Sequence, residues 1–235
     1  MRTSLLAATA LAGSMLFMVP GAQAFDWNGP YVGGVVGVVK STGSIDWSYF
    51  DGYEEIYGTF EFDGLGALAG VTAGFNYILD DKFLVGIEGD ASIAWLKSSG
   101  TDEVELWYSA EFEEELQSLL TLRGRFGVLT DDQQTLFFVT GGLAGGNVKA
   151  SALVQDYLGD PETTTAATMS GFVFGVIGGV GVEHVIKEDL TVKAEVLAYA
   201  LGSLDGTGYA GKGDSMSATY SPSGIIFRTG INFHF

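Results

Sequence analysis

The stretch Gly224-Ile-Ile-Phe-Arg-Thr-Gly-Ile-Asn-Phe-His-Phe235 decides how the whole chain is read. Its residues sort at period two, the repeat of a β-strand. Ile225, Phe227, Thr229, Ile231, Phe233 and Phe235 share one face; Gly224, Ile226, Arg228, Gly230, Asn232 and His234 share the other. One face is apolar to the last residue, and the other carries a charge, an amide and two glycines. On a soluble sheet edge such a face is an aggregation hazard. In the wall of a barrel set in lipid it is the required pattern, with an apolar exterior and a polar interior.

Seven more segments of this kind precede it. They span residues 29–40, 65–79, 83–97, 118–129, 135–150, 169–185 and 190–203. Long connections (42–63, 98–117, 151–168, 204–221) alternate with short ones (80–82, 130–134, 186–189). An even strand count, with long loops on one rim and short turns on the other, predicts an all-β fold: an eight-stranded antiparallel transmembrane β-barrel of outer-membrane type. Gly recurs inside the segments and the period is two, so a helical reading fails. A soluble lipocalin-like barrel is the competing reading. It would turn the apolar faces inward and leave the charged ones outside, against the loop asymmetry.

Composition agrees. Gly is abundant at 35 residues, Pro is rare at 4, and Cys is absent, which excludes disulfides, metal thiolates and a thiol nucleophile. The net charge of −18 argues against a nucleic-acid partner, which calls for basic patches. Residues 1–24 read as a cleaved signal peptide: Arg2, an apolar run from Leu5 to Val19, then the small-x-small site Ala22-Gln23-Ala24. Beyond it no run reaches the roughly 18 apolar residues of a spanning helix. Residues 25–235 are then the barrel domain, located in the outer membrane.

Parity places Glu88, Asp90, Glu183 and Glu195 inside the barrel with Arg123, Arg125, Lys193 and Arg228. Four acids facing four bases fit a charged constriction that selects ions. They fit a solid, salt-bridged lumen better, because eight strands leave an interior that side chains fill, and buried charges must be paired. A catalytic carboxylate pair at Glu88 and Asp90 lacks any sign of a substrate cleft. The only histidines, His184 and His234, fall at the short-turn ends of their segments, out of reach of the loops, so a Ser-His-Asp arrangement has no base. No catalytic residue, metal site or cofactor is expected.

The acids of the first two loops are the least explained feature. The first carries Asp46, Asp51, Glu54, Glu55, Glu61 and Asp63; the second carries Asp102, Glu103, Glu105, Glu111, Glu113, Glu114 and Glu115. Charge runs are usually solvated faces. Carboxylates also suit divalent cations, but no EF-hand spacing is present. Loop two alternates, which predicts strands continuing as a hairpin above the membrane. Tyr49, Tyr53 and Tyr57 are candidate haem ligands in the first loop. Lys40, Lys97 and Lys149 stand at the ends of segments on the long-loop rim and are candidates for contact with lipopolysaccharide phosphates. Tyr31, Tyr77, Trp95 and the terminal Phe residues are candidates for aromatic girdles.

Five stretches carry a family resemblance: Val85-Gly-Ile-Glu-Gly-Asp-Ala91, Ser118-Leu-Leu-Thr-Leu-Arg-Gly-Arg-Phe-Gly127, Val139-Thr-Gly-Gly-Leu-Ala-Gly145, Gly178-Gly-Val-Gly-Val-Glu183 and the terminal strand. With Trp27-Asn-Gly-Pro-Tyr-Val-Gly33 they resemble the small outer-membrane immunogenic, or porin-family, proteins of alphaproteobacteria. The resemblance implies an OmpA-like eight-stranded barrel and a surface-exposed structural protein and antigen. Some members are described as porins and some as haem binders. The chain departs in its acidic loops and in Lys193-Ala-Glu-Val-Leu-Ala-Tyr199, where members often carry basic or Tyr-rich sequence. A terminal Phe preceded by apolar residues at alternate positions also resembles the signal read by the outer-membrane insertion machinery, which makes Phe227, Ile231, Phe233 and Phe235 its candidate residues. The expectation is a non-catalytic structural barrel in contact with lipid, lipopolysaccharide and the barrel-assembly machinery. A narrow porin, and a surface binder of haem or divalent cations, are the alternatives. The sequence names no partner for the loops.

Overall fold

The computed structural model describes residues 25–50, 53, 55–105, 108–156, 163–209 and 215–235. The expected signal peptide, with Asp51, Glu54 and Asp160-Pro161, lies outside the described residues, as do the side chains of Asp102, Glu103 and Glu105.

Among the described residues there are twelve strands, where the sequence leads one to expect eight. They are β1 (Gly29–Ser41), β2 (Ser44–Phe50), β3 (Glu55–Glu61), β4 (Leu65–Leu79), β5 (Phe83–Glu105), β6 (Tyr108–Leu129), β7 (Thr135–Asp156), β8 (Thr163–Lys187), β9 (Leu190–Leu201), β10 (Leu204–Tyr209), β11 (Ser215–Ser221) and β12 (Ser223–His234). Eight of them form a closed antiparallel ring in the order β1-β12-β9-β8-β7-β6-β5-β4, and β10-β11-β2-β3 form a second sheet. The ring closes where β1 pairs β4, with Tyr31 opposite Gly74 and Val35 opposite Gly70. No helix among the described residues is long and apolar enough to cross a membrane.

The excess over eight comes from the long connections. Within the first and fourth connections, Ser44–Phe50 pairs with Glu55–Glu61 and Leu204–Tyr209 with Ser215–Ser221 as the strands of the second sheet. The second and third loops are continuous with the wall: β5 and β6 pair as far as Glu105 and Tyr108, and β7 and β8 as far as Asp156 and Thr163. Alternation drives this extension. Ala110, Phe112 and Leu116 are buried while Glu111 and Glu113 are exposed. A long strand pair keeps its backbone hydrogen-bonded while its polar face stays in water.

At the opposite end the connections are tight. Asp80 and Asp81 both take positive φ, 51° and 55°, in the turn from β4 to β5, and Lys82 N donates to Leu79 O at 3.3 Å. Two positive-φ residues make the turn whose twist matches the flanking strands, and Asp tolerates that conformation better than most residues. In the turn from β6 to β7, the Asp132 carboxylate accepts from Thr130 Oγ1 at 2.5 Å and from Gln134 N at 3.1 Å.

The interior is stacked in three layers. An apolar layer at the short-turn end contains Phe25, Trp27, Leu84, Leu129, Leu136, Phe138 and Val185. A charged layer follows. Above it, a larger apolar core joins the upper wall to the second sheet through Trp47, Phe62, Phe112, Met169, Met216 and Tyr220. Phe60 stacks on Phe112 with ring centroids 4.8 Å apart. The outside of the ring is apolar: Val36, Val71, Phe75, Ile93, Trp95, Leu122, Leu143, Phe174, Val180 and Ile231 are all exposed.

Candidate functional site

The charged layer is built by parity. Glu88 and Asp90 project inward from β5, Arg123 and Arg125 from β6, Glu183 from β8, Lys193 and Glu195 from β9, and Arg228 from β12, and all eight are buried. They form one connected set. Arg123 Nη2 bonds Glu88 and lies 3.1 Å from Asp90 Oδ2, while its Nη1 lies 3.1 Å from Glu195 Oε1. Arg125 reaches Glu183 at 2.6 Å and Glu88 at 3.5 Å. Lys193 contacts Glu88 at 2.5 Å and Glu195 at 3.4 Å. Arg228 completes the set with Asp90 at 3.2 Å and Glu195 at 2.8 Å. Four carboxylates meet four cations, so the layer is neutral as a whole. Neutrality with pairing is the condition under which buried charge persists.

Neutral side chains add hydrogen bonds to the carboxylates. Tyr31 donates its hydroxyl to Glu88 Oε2 at 2.7 Å and accepts from Arg125 Nη1 at 2.9 Å. Thr121 donates to Asp90 at 2.5 Å, while Thr191 and Asn232 donate to Glu183 Oε1 at 2.6 and 2.7 Å. Tyr31 was expected in an aromatic girdle; it is instead a lumen residue, because β1 is apolar on both faces and its parity cannot be read from hydropathy. Gly74 makes the room for it, since a Cβ there would meet the Tyr31 ring at 2.4 Å. Tyr77 and Trp95 do face outward.

The layer is capped from below. Trp27 Nε1 donates to Gln133 O at 2.9 Å, holding the indole in the mouth of the ring. Phe25 and Trp27 pack edge-on to each other at 5.0 Å, and His234 stacks on Tyr31 at 5.2 Å. The histidines have structural partners. His184 Nδ1 lies 2.9 Å from Thr135 Oγ1, and His234 Nε2 lies 3.3 Å from Thr191 Oγ1 and 3.5 Å from Glu183. Sequence reasoning singled out neither the capping role of Phe25 and Trp27 nor the burial of Glu114. The signal for the cap was the Phe-x-Trp pair placed just before β1.

The other expected residues scatter. Phe227, Ile231, Phe233 and Phe235 lie exposed in a row on the outer face of the last strand and its end. Lys40 is near the end of β1, but Lys97 and Lys149 are not at strand ends, because β5 and β7 run on to Glu105 and Asp156. Lys40 pairs with Asp63 at 3.0 Å and Lys97 with Glu115 at 3.5 Å. Tyr49 is buried while Tyr53 and Tyr57 are exposed, so the three tyrosines do not share a ligand face. Glu114, read as a solvated loop acid, is buried in the upper core. Its Oε2 accepts from Tyr220 at 2.7 Å. Burial pushes its pKa up, against hydrogen bonds from Ser41 and Tyr220. No group of three or more His, Asp or Glu among the described residues is arranged to hold a metal ion.

Residues 9–233 match the outer membrane protein beta-barrel domain family. The chain belongs to that family. The chain is also similar to the 31 kDa outer-membrane immunogenic proteins of Brucella melitensis and Brucella suis. Each is 28% identical over 210 residues, covering 85% of this chain and 84% of the relative. Among solved structures it is similar in fold to the outer membrane protein OprG of Pseudomonas aeruginosa, with a TM-score of 0.51 at 12% identity, covering 88% of this chain and 97% of that one. As a member of the family, it is an integral outer-membrane β-barrel protein, homologous to the Brucella immunogenic proteins, with an internal network of buried salt bridges.

Proposed function

We propose that this outer-membrane protein is a non-catalytic structural barrel of the OmpA-like, eight-stranded type, and that its lumen is plugged. The observation that carries this reading is the pairing of all eight inward charges between two apolar layers. An open pore selects ions by presenting charge to water. Here Arg123 and Lys193 are among the largest fully buried side chains, in a ring narrow enough for side chains to fill.

Residues 1–24 direct export and are removed. The short turns then face the periplasm, and the second sheet with its extended hairpins stands outside the cell. Phe227, Ile231, Phe233 and Phe235 form the signal presented to the barrel-assembly machinery; their outward exposure supports this. Lys97 and Lys149 sit on the outer wall where its apolar band gives way to polar residues, which supports contact with phosphates of lipopolysaccharide. Lys40, held by Asp63, is a weaker candidate.

Liposome swelling tests the plugged lumen. Vesicles containing the refolded protein are expected to swell in arabinose no faster than protein-free vesicles. Swelling that scales with protein content and falls with solute size would establish the narrow-porin reading in its place.

A further inference from the structure

The top of the wall is uneven. β5 to β8 run on past the level where β1 ends at Ser41 and β4 begins at Leu65. Their upper parts face the second sheet across the apolar residues of the upper core. Two sheets packed in this way leave a seam on each side. The seam between β10 and β8 is shut. A Cβ on Gly171 would meet Leu204 Cδ2 at 3.3 Å, one on Gly206 would meet Met169 Cγ at 2.5 Å, and one on Gly208 would strike the Ala166 backbone. The seam between β3 and β5 is held at its base, where a Cβ on Gly64 would meet Ser98 Cβ at 2.6 Å and the Phe60 ring covers Gly100. Beyond that point the two strands are separate edges. Among the described residues β3 pairs only with β2, and from Lys97 to Glu105 β5 pairs only with β6.

The β3 edge presents its hydrogen-bonding groups at definite places. Phe62 N donates to Gly43 O at 2.8 Å. Alternation along an antiparallel pair then turns the N–H and C=O groups of Glu61, Thr59, Tyr57 and Glu55 away from β2. The side chains of these four residues are exposed, whereas Ile56 and Phe60 lean on the upper core. An edge of this kind is a template for an added strand. That strand would set one row of side chains beside Ile56 and Phe60 and the other beside Glu55, Tyr57 and Glu61.

Charge selects the outer row. The connections that flank this seam, 42–63 and 98–117, carry six and seven acids and no Lys or Arg. Those that flank the shut seam, 151–168 and 204–221, carry three and two acids and Lys212. A second copy of the chain would set acid against acid at this edge, which is unfavourable, while basic residues would pair across it.

We propose that the seam between β3 and β5 takes up an extended cationic peptide segment of another protein, which adds to β3 as a strand with apolar and basic residues in alternation. The proposal rests on the reading that this sheet stands outside the cell, where such a segment can reach it.

Fluorescence anisotropy with the refolded full barrel in nonionic detergent tests it, whichever way the barrel faces in a membrane. The probe is a labelled, end-blocked peptide of alternating Val and Lys. A Val/Glu peptide keeps the backbone and reverses the charge. A Val/Lys peptide N-methylated at its lysines keeps the charge and loses the N–H groups that would face β3. The parent peptide is expected to bind at least about tenfold more tightly than either. Tyr57→Pro removes one outward N–H, leaves the β2 pairing intact, and should weaken binding about tenfold. The double variant Glu55→Gln/Glu61→Gln should weaken it about fivefold, and Asp205→Asn, beside the shut seam, should leave it unchanged. Equal binding of the N-methylated peptide, or of the Val/Glu peptide, would overturn the proposal. A wild-type dimer that the parent peptide fails to dissociate would give the edge to a second copy and overturn it too. Heat-modifiable gel mobility reports barrel formation by each variant, and the comparison of peptides on the wild type stands without them. Binding to the refolded protein without binding to intact cells would contradict the external placement of the sheet while supporting the seam as the peptide site.

Discussion

Lys193 and Glu88 stand on strands four places apart in a ring of eight, on opposite walls of the lumen, yet Nζ lies 2.5 Å from Oε2. A contact of that length across the full width of the barrel leaves no axial passage between the two groups. Glu88 also accepts from Tyr31 and contacts Arg123 and Arg125, so it is the most connected carboxylate of the layer.

That position makes Glu88 the residue whose loss costs most. Glu88→Ala leaves four buried cations, Arg123, Arg125, Lys193 and Arg228, short of a partner, and a loss of about 3–5 kcal/mol is expected. Urea unfolding of the refolded protein in lipid vesicles measures it. The double variant Glu88→Leu/Lys193→Met should recover much of that loss, because an ion pair replaced by apolar groups is often neutral. A double variant no more stable than Glu88→Ala would show that the pair does more than satisfy itself.

Tyr31 links Glu88 to Arg125 through one hydroxyl. Tyr31→Phe removes hydrogen bonds to two charged groups without changing the ring, and about 1.5–3 kcal/mol should be lost in the same assay. Gly74→Ala should act at the same place by pushing the ring aside, since its Cβ would also meet Ile87 O at 2.7 Å. The two effects should be less than additive, as expected for neighbours that share a partner.

Glu114 gives a pH dependence with a definite sign. It lies in β6 next to Glu115, which stands opposite Lys97 and Lys149, outside the apolar band, and burial raises its pKa above the ordinary 4.5. The folded protein therefore keeps a proton that the unfolded chain loses above the ordinary value. Its contribution to stability is full below about pH 4.5 and is lost as pH rises through the raised pKa. Glu114→Gln cannot ionise. Its stability relative to wild type should rise between pH 5 and pH 9, read by urea midpoints across that range, and a constant difference would contradict the assignment.

Much of this was legible in the sequence, for a physical reason. A wall between lipid and a filled lumen forces apolar and polar residues onto opposite faces, so parity alone placed all eight charges of the central layer inside. Where parity failed, its premise failed. In β1 the run Val35-Val36-Gly37-Val38-Val39 is apolar on both faces, so Tyr31 could not be assigned. In β6 the bulge at Gln117 switches the inward positions from odd numbers at Arg123 and Leu119 to even ones at Leu116 and Glu114. The acidic runs then looked like solvated loops, although Glu114 is inside. In β2, Ile45, Trp47 and Tyr49 alternate against Asp46 and Ser48, but seven residues among acids carry no strand signal of their own; the pairing with β11 and β3 is what makes them a strand.

The last strand tests assembly apart from stability. Phe235 is 71% exposed and packs edge-on to Phe233 at 5.1 Å, so its removal should cost the folded barrel little. Deletion of Phe235 is nevertheless expected to reduce the heat-modifiable form in outer-membrane fractions severalfold, while the same variant refolds from urea into detergent. Normal membrane levels of the truncated chain would remove the terminal residue from the assembly signal.

Planar-bilayer recording of the refolded protein addresses the plugged lumen most directly. The wild type is expected to give no reproducible conductance steps in 1 M KCl, while Glu88→Ala, which breaks the Lys193 contact across the ring, is expected to give small ones. Steady steps from the wild type that change in size on Arg123→Ala would contradict a lumen closed by the charged layer.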